Sequence, residues 1–329
     1  MKPSIFGYTA PVTLEDAITI LASDADAVVL AGGQTLLPAM NFRAANPSLL
    51  VDIQHVEGLR GIDVGADGIV VKAMTRHREL ELDANVQRAN PLIAEVMQHV
   101  AHIPIRHRGT VVGSLCHADP SAEMPLLLLL LGGAVIAQGP TGRREISAED
   151  FFLSFLTTAR SQDEIIVEAR FPVLPPGAGW AFDEVTRRHG DYAIVGVGCV
   201  LAFDGDGPAS GVRLAACGIA DRPVRLRGAE AVLNGTALGA SDLDAAVTAS
   251  LAAVTQPDEM NLSQNYRRRA LGTLIRRTVA TAARMFDLDV PPLASRLDID
   301  LPGRLGEENT VAGYRVEARC RAGAIAEIW

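Results

Sequence analysis

The apolar positions of the first 57 residues predict a compact strand–loop–helix–strand unit. Apolar side chains recur at helical spacing in Leu14, Ala17 and Leu21, and Thr13 can cap this helix. A short, wholly apolar strand follows and ends directly at the glycine pair of residues 32 and 33. The predicted elements are a helix over 13–23, a strand over 27–31, a helix over 35–43 and a strand over 49–53.

Residues 58–176 carry a second mixture of strands and helices. Asp67 and Gly68 stand between two apolar runs, which indicates a β-hairpin. The all-leucine run 126–131 is far shorter than the roughly 20 residues of a membrane-spanning helix, so it predicts a buried helix and no membrane span. The predicted elements include helices over 91–102 and 120–131, a glycine-containing loop over 109–114 and a strand over 134–137.

A proline- and glycine-rich linker at 172–179 separates a region with a different pattern. Three strands follow it and then three helices, an order typical of an α+β domain with an antiparallel three-stranded sheet. Residues 287–329 differ again, and no role is predicted for them. The predicted strands are 181–187, 193–203 and 211–219, and the predicted helices are 227–233, 241–254 and 262–286.

The net charge and the cysteine spacing exclude several classes of function. The 329 residues carry a net charge of −9 and no long Lys/Arg block, so nothing indicates nucleic-acid binding. The four cysteines are widely spaced and form no C-x-x-C pair, which excludes a zinc ribbon or an iron–sulfur run built from neighbouring residues. Scattered cysteines and the lack of an apolar leader favour the cytoplasm.

The strand that ends at Gly32 and Gly33 predicts a phosphate-binding turn. Glycine lets the backbone approach a ligand closely, and the N-terminus of the following helix offers N–H groups without partners. The pattern is neither G-x-G-x-x-G nor a Walker loop, so a second loop has to cooperate, and 110–114 is the candidate. An ordinary strand–helix turn is the alternative interpretation of the first loop taken alone.

An ordered set of motifs over residues 3 to about 286 resembles the medium, FAD-binding subunit of molybdenum hydroxylases, the CO dehydrogenase and xanthine dehydrogenase family. The set comprises F-x-Y-x-x-P at 6–11, A-G-G-Q-T-L-L-P at 31–38, I-R-x-x-G-T-V-x-G-S at 105–114, D-P at 119–120, E-M-P at 123–125, F-F at 151–152, T-T at 157–158, D-E-I-I at 163–166 and R-R-H-G-D-Y at 187–192.

The resemblance implies a fold and a domain division. The expected fold is α+β, with an FAD-binding domain of the PCMH or vanillyl-alcohol-oxidase type made of two α/β subdomains. A smaller domain with the three-stranded antiparallel sheet follows. The implied boundaries are 1–176 for the FAD-binding domain, with subdomains at about 1–57 and 58–176, then 177–286 for the second domain and 287–329 for an extension.

The resemblance also assigns cofactor contacts. The two loops bracket the FAD pyrophosphate, Glu123 matches an acidic residue that binds a ribose hydroxyl, Ile166 an apolar residue near the flavin, and Tyr192 an aromatic that covers the isoalloxazine ring. Without the resemblance, Tyr192 would be read as a half-buried sheet tyrosine and Glu123 as a first-turn helix carboxylate. The implied cofactor-binding residues are Ala31, Gly32, Gly33, Gln34, Thr35, Leu36, Thr110, Val111, Gly113, Ser114, Glu123, Ile166 and Tyr192.

Two positions depart from the family pattern. Val112 stands where relatives usually have a glycine, and its branched Cβ is expected to push the second loop slightly away from the phosphate. Gln34 and Thr35 stand where relatives often have His-Ser, and both keep a hydrogen-bonding group.

By resemblance, the chain works within a larger redox complex. A large subunit carries the molybdenum–molybdopterin cofactor, and a small subunit carries two [2Fe–2S] clusters. This chain passes electrons from the clusters through FAD to an external acceptor, in an expected dimer of heterotrimers, and needs no catalytic acid, base or metal of its own. The rivals are a stand-alone vanillyl-alcohol-type FAD oxidase, for which the second domain is too small, and a nucleotide-binding scaffold without redox function.

Overall fold

The computed structural model describes residues 2–203, 205, 207–259, 262–286, 310–311 and 314–315. Contacts divide the chain into two units, Met1–Leu293 and Ala294–Trp329. Within the second unit, strands Thr310–Val311 and Tyr314–Arg315 pair antiparallel. Most of the extension predicted over 287–329 lies outside the described residues. The first unit contains all of the residues expected to bind the cofactor.

A three-stranded parallel sheet opens the first unit. The first helix forms because Thr13 Oγ1 accepts the N–H of Asp16 at 3.1 Å and because Ala17, Ile18 and Leu21 bury one face. The order of the strands is β1-β3-β2; β2 and β3 are the two strands of the predicted unit, and β1 was not predicted. The elements are β1 (Gly7–Thr9), α1 (Leu14–Ser23), β2 (Ala27–Leu30), α2 (Leu36–Asn41) and β3 (Leu49–Asp52).

An antiparallel five-stranded sheet of order β4-β5-β10-β6-β7 follows. Seven helices and a small hairpin of β8 and β9 surround it. These elements are β4 (Ile62–Gly65), β5 (Gly68–Lys72), α3 (His77–Leu82), α4 (Ala84–Ala89), α5 (Pro91–His99), α6 (Ile103–Arg106), α7 (Val111–His117), α8 (Glu123–Leu131), β6 (Ala134–Gly139), β7 (Gly142–Ser147), α9 (Ala148–Phe151), β8 (Phe152–Ser154), β9 (Thr157–Thr158) and β10 (Ile165–Phe171).

The last sheet of the unit is antiparallel with the order β11-β12-β13-β14. The three predicted strands are present, but the prediction of only three was wrong, because a two-residue strand extends the sheet. Two residues are too few to show an alternating pattern. The elements are β11 (Gly179–Val185), β12 (Val195–Phe203), β13 (Ala209–Cys217), β14 (Val224–Arg225), α10 (Arg227–Leu233), α11 (Ala240–Ser250) and α12 (Gln264–Arg284).

Helix α8 is the centre of the first unit. All nine of its residues are buried, as expected of a helix that is apolar on every side. It packs against β12 and β13, and a Cβ added at Gly198 of β12 would lie 2.6 Å from Leu130 Cδ2. The leucine run therefore belongs to the core that joins the second sheet to the third. The N-terminal residue of α8, Glu123, is held in this buried setting.

Two predicted boundaries change near the second glycine segment. The helix predicted over 91–102 ends at His99, because Val100 is extended and Ala101 has a φ of +48°. The helix predicted over 120–131 begins at Glu123, after the loop in which the N–H of Ser121 donates to Asp119 Oδ1 at 2.8 Å. Asp119 therefore accepts a hydrogen bond within the loop that leads into α8.

Candidate functional site

The two glycine segments meet directly in the folded chain. A Cβ added at Gly32 would lie 2.7 Å from Gly109 Cα, 2.8 Å from the Arg108 carbonyl oxygen and 2.9 Å from Thr110 N. These atoms belong to the backbone, which cannot yield as a flexible side chain can. Only glycine therefore permits this approach, and the residues that precede the second segment are part of the contact.

The first segment turns sharply between β2 and α2. Gly33 has a φ of +69°, a conformation that glycine adopts without strain. Gln34 Nε2 donates to the Gly32 carbonyl at 3.3 Å, and α2 begins at Leu36. Within α2, the N–H of Leu37 donates to the Gly33 carbonyl at 3.2 Å and Pro38 has no N–H, so the donors that this turn can offer to an anion are the backbone N–H groups that precede Leu37.

The second segment is the start of a helix rather than a loop. Thr110 is the N-cap of α7, and its Oγ1 accepts the N–H of Gly113 at 3.1 Å. The N–H of Val111 donates to the Thr75 carbonyl at 3.1 Å. A Cβ added at Gly113 would lie 2.5 Å from Thr110 Oγ1 and 4.0 Å from Ala31 Cβ. The cap and the first segment therefore share one narrow space.

Val112, which departs from the family pattern, lies in the first turn of α7. Its side chain is buried in the hydrophobic core, where Val111 and Leu115 are also buried. The helical backbone thus directs the branched Cβ inward. The expected outward push on the segment assumed a loop conformation, whereas the structure shows a helix.

Tyr192 joins the first segment to the start of α8. The Thr35 side chain and the carboxyl groups of Asp119 and Glu123 lie near enough to the tyrosine hydroxyl to act on its pKa. Burial of the hydroxyl, followed by these negative charges, raises the pKa of Tyr192 to about 12. About half of the residue is still exposed, 51%. The phenol is therefore neutral, and part of it is accessible to a ligand.

Glu123 is a buried carboxyl without a basic partner among the described ion pairs. It is 4% exposed, and burial is the main cause that raises its pKa to about 8, with the charges of Glu184 and Asp119 adding to the effect. At neutral pH the group is mostly protonated. A neutral carboxyl can both donate and accept a hydrogen bond, which suits a sugar hydroxyl.

Ile166 is the remaining predicted residue, and the structure does not bring its side chain into this space. It is 3% exposed on β10, where it pairs with Ala137 next to a β-bulge. Helix α7 packs on the same strand. Ile166 therefore lies in the layer that supports the second segment.

The residues of the site fit an extended dinucleotide cofactor. Gly32, Gly33 and Gly113 leave no room for a side chain against neighbouring protein atoms, so only glycine lets the two segments come this close, as a shared phosphate site requires. Neutral hydrogen-bonding groups lie beside them in Thr35 and Glu123. In this arrangement FAD would be held at its pyrophosphate by the two segments and at a ribose by Glu123.

Comparisons with known proteins identify the family. Residues 4–174 match the family model for the FAD binding domain in molybdopterin dehydrogenase, and residues 180–282 match that for the CO dehydrogenase flavoprotein C-terminal domain. The chain belongs to the medium, FAD-binding subunits of the molybdenum hydroxylase family. It is therefore the oxidoreductase flavoprotein subunit of a multi-subunit molybdenum dehydrogenase, and the predicted family and fold class are confirmed.

Several relatives support this membership over nearly their whole length. The subunit alpha of the 6-hydroxypseudooxynicotine dehydrogenase complex of Paenarthrobacter nicotinovorans is 38% identical, with 86% of this chain and 96% of the relative covered. Caffeine dehydrogenase subunit beta of Pseudomonas sp. strain CBB1 is 36% identical, with 88% and 99% covered. The solved carbon monoxide dehydrogenase of Hydrogenophaga pseudoflava is similar with a TM-score of 0.84 and 33% identity, over 87% of this chain and 99% of that one.

Two features of this flavoprotein subunit were missed by reasoning from the sequence. His77 is buried against Gly109, directly behind the second segment. Arg106 is also buried, and its guanidinium donates to the carbonyl oxygens of Val100 and Ala101 at 2.9 and 2.7 Å and to Glu81 at 3.0 Å. The I-R-x-x-G-T motif contained the arginine, but no sequence signal marked it as a buried hub.

The described part of the flavoprotein was searched for a metal site and for a membrane-spanning helix, neither of which the sequence predicts. There, no group of three or more His, Cys, Asp or Glu side chains is arranged to hold a metal ion. The same residues include no helix that is both long and apolar enough to cross a bilayer. The closely spaced His99, His102 and His107 lie at the end of α5 and at the two ends of α6. His99 Nδ1 is 3.0 Å from Glu184 Oε1 instead.

Proposed function

We propose that this subunit holds FAD between the segments 31–36 and 110–114 and relays electrons through it. The electrons come from [2Fe–2S] clusters on a small partner subunit, after a large molybdopterin-containing subunit has oxidised the substrate. They leave to an external acceptor. When bound, FAD supplies the redox chemistry, and the residues of this chain bind and orient it.

The observation that carries the proposal is the contact between Gly32 and the backbone at Gly109. A strand-to-helix turn and a helix-to-helix turn from distant parts of the sequence are held together without side chains between them. Each turn ends at a helix N-terminus, and the partial positive charges there favour a pyrophosphate. A turn that only reverses the chain does not need a second turn beside it. A dinucleotide site does, because both turns have to reach the same pair of phosphates.

The side chains around these turns have separate roles in the proposal. Glu123, neutral at physiological pH, hydrogen-bonds a ribose hydroxyl. Tyr192 covers one face of the isoalloxazine ring and limits its contact with water and small oxidants, since the tyrosine is part exposed and lies beside Thr35. Ile166, which was expected to contact the cofactor, supports the second segment from the core instead. The proposed contacts are Ala31, Gly32, Gly33, Gln34, Thr35, Leu36, Thr110, Val111, Gly113, Ser114, Glu123 and Tyr192.

The assembly that we propose is a dimer of heterotrimers in the cytoplasm. Relatives named as the medium chain of carbon monoxide dehydrogenase and as a subunit of a dehydrogenase complex support separate large and small partners. Cysteines 116, 199 and 217 are free thiols, which suits a reducing compartment. We assign residues 1–176 to the FAD-binding domain and 177–286 to the second domain. The ends of the two family matches at 174 and 282 support this division.

A titration of the apoprotein with FAD tests the proposed site. Gly32→Ala places a methyl group within 2.9 Å of three backbone atoms and should weaken FAD binding by about tenfold or more, since a displacement of about 1 Å can cost that much. Gly65→Ala is the matched control, because a Cβ there meets no atom within 4 Å. Equal FAD affinity in the two variants would contradict the assignment of the first segment.

A further inference from the structure

The second FAD segment rests on an unusual buried histidine. His77 begins α3 and is 6% exposed, and neither ring nitrogen has a hydrogen-bond partner among the described residues. Burial lowers the pKa of His77 to about 4, and the nearby Gly109 carbonyl offsets only part of this effect. The imidazole is therefore neutral at physiological pH. No charge on the ring therefore fixes its place, and its packing against the neighbouring backbone has to account for it.

The ring lies against the backbone of Gly109. A Cβ added at Gly109 would be 3.0 Å from His77 Nδ1 and 3.3 Å from Cε1, so the glycine Cα rests directly on the imidazole. The backbone of the same two residues is also joined, since the His77 N–H donates to the Gly109 carbonyl at 3.0 Å. A bridge between Arg76 and Thr110 continues this pairing. Residue 77 thus contacts Gly109 through both its backbone and its side chain.

Gly109 is also in close contact with Gly32. The distance of 2.7 Å from an added Gly32 Cβ to Gly109 Cα leaves no space for closer approach between the two residues. Gly109 therefore contacts both the imidazole of His77 and the first segment. Removing the ring would leave space into which Gly109 and the adjacent Thr110 cap can move, which would change their distance from the first segment.

We propose that His77 is a positioning residue for the cofactor pyrophosphate. It does not touch the cofactor but fixes the separation of the two segments that hold the phosphates. This inference rests on the proposed FAD site. It adds to that proposal that one side chain, which the family resemblance did not indicate, sets the distance between the two FAD-binding segments. Its specific consequence is that a change at residue 77 affects recognition of the pyrophosphate and leaves recognition of the adenosine part intact.

Calorimetric titration of the full-length apoprotein with ADP and with adenosine separates these contributions. Wild type should bind ADP more tightly than adenosine, and His77→Ala should reduce this preference by about tenfold or more, since the collapsed cavity shifts Gly109. His77→Phe keeps a flat ring and should retain most of the preference. Leu80→Ala, on the same helix and fully buried, should lower the melting temperature without changing the ratio of the two affinities.

Three other outcomes would contradict the inference. If wild type prefers ADP but His77→Ala keeps that preference within about twofold, the positioning role is wrong. If Leu80→Ala reduces the preference as much as His77→Ala, the effect is general destabilisation and the role is again wrong. If wild type shows no preference for ADP, the pyrophosphate site itself is misassigned and the inference falls with it.

Discussion

Replacing Glu123 with glutamine should stabilise the apoprotein at neutral and alkaline pH. Glu123 is buried at the N-terminus of α8, and no cation pairs with it among the described residues, while Glu184 and Asp119 place further negative charge nearby. The amide has nearly the same shape and no charge. The substitution keeps the packing and removes the free-energy cost of holding this buried carboxyl in its neutral form at a pH where the unfolded chain ionises it.

The sign and size of the effect follow from the raised pKa. The folded-state pKa is about 8, above the ordinary value of 4.5, so the folded protein holds this proton more tightly than the unfolded chain. The contribution to stability is complete below 4.5 and is lost as the pH rises toward 8. At about 1.36 kcal/mol per pKa unit, wild type loses about 3 kcal/mol through this group between about pH 5 and pH 7.5.

Urea unfolding of apoprotein at these two pH values measures the effect. The stability of Glu123→Gln relative to wild type should rise by about 3 kcal/mol from the lower to the higher pH. Glu230→Gln is the matched control, because Glu230 is equally buried but accepts from Arg225 Nε at 2.7 Å. That variant should be destabilised, since it breaks a buried ion pair. A stability difference between Glu123→Gln and wild type that is the same at both pH values would refute the reasoning.

Three further outcomes are expected. Gly33→Val should remove most FAD affinity, because the residue has a φ of +69° and its Cβ would lie 3.0 Å from Leu37 Cδ1; an affinity within about threefold of wild type by titration would oppose this. Tyr192→Ala should weaken FAD binding by about 0.5–1.5 kcal/mol and alter flavin reoxidation in stopped flow, and unchanged rates and spectrum would make it an ordinary sheet residue. The isolated chain should reduce no dye with organic substrates, and substrate-dependent reduction would favour a stand-alone oxidase.

The sequence was most informative where a periodic pattern and a buried face coincide. Helix α1 shows its cap and its apolar stripe, and the run of leucines in α8 is apolar on every side, so both helices were predictable. The glycine pair at 32 and 33 marked a tight turn, which the structure has. What the pattern could not show is that the partner surface of Gly32 is the backbone of Gly109, because the two residues are far apart in sequence.

The second segment was misread for a local reason. Residues 109–114 contain two glycines and a threonine, which favour a loop by propensity, yet Thr110 caps a helix that buries Val111, Val112 and Leu115 in the core. Packing of these three side chains outweighs the weak helix propensity of glycine and valine. The role of His77 was equally out of reach, since an isolated histidine gives no sign of which backbone it will support.

The most direct test of the central claim is the cofactor content of the native complex that contains this chain. Acid precipitation of the purified complex should release one FAD per copy of this chain into the supernatant. Molybdenum and iron should co-purify with the partner polypeptides of the complex. Colour that stays with the protein pellet would contradict the proposed non-covalent site. A native complex that lacks flavin altogether would contradict the assignment of this chain as its electron-relaying flavoprotein.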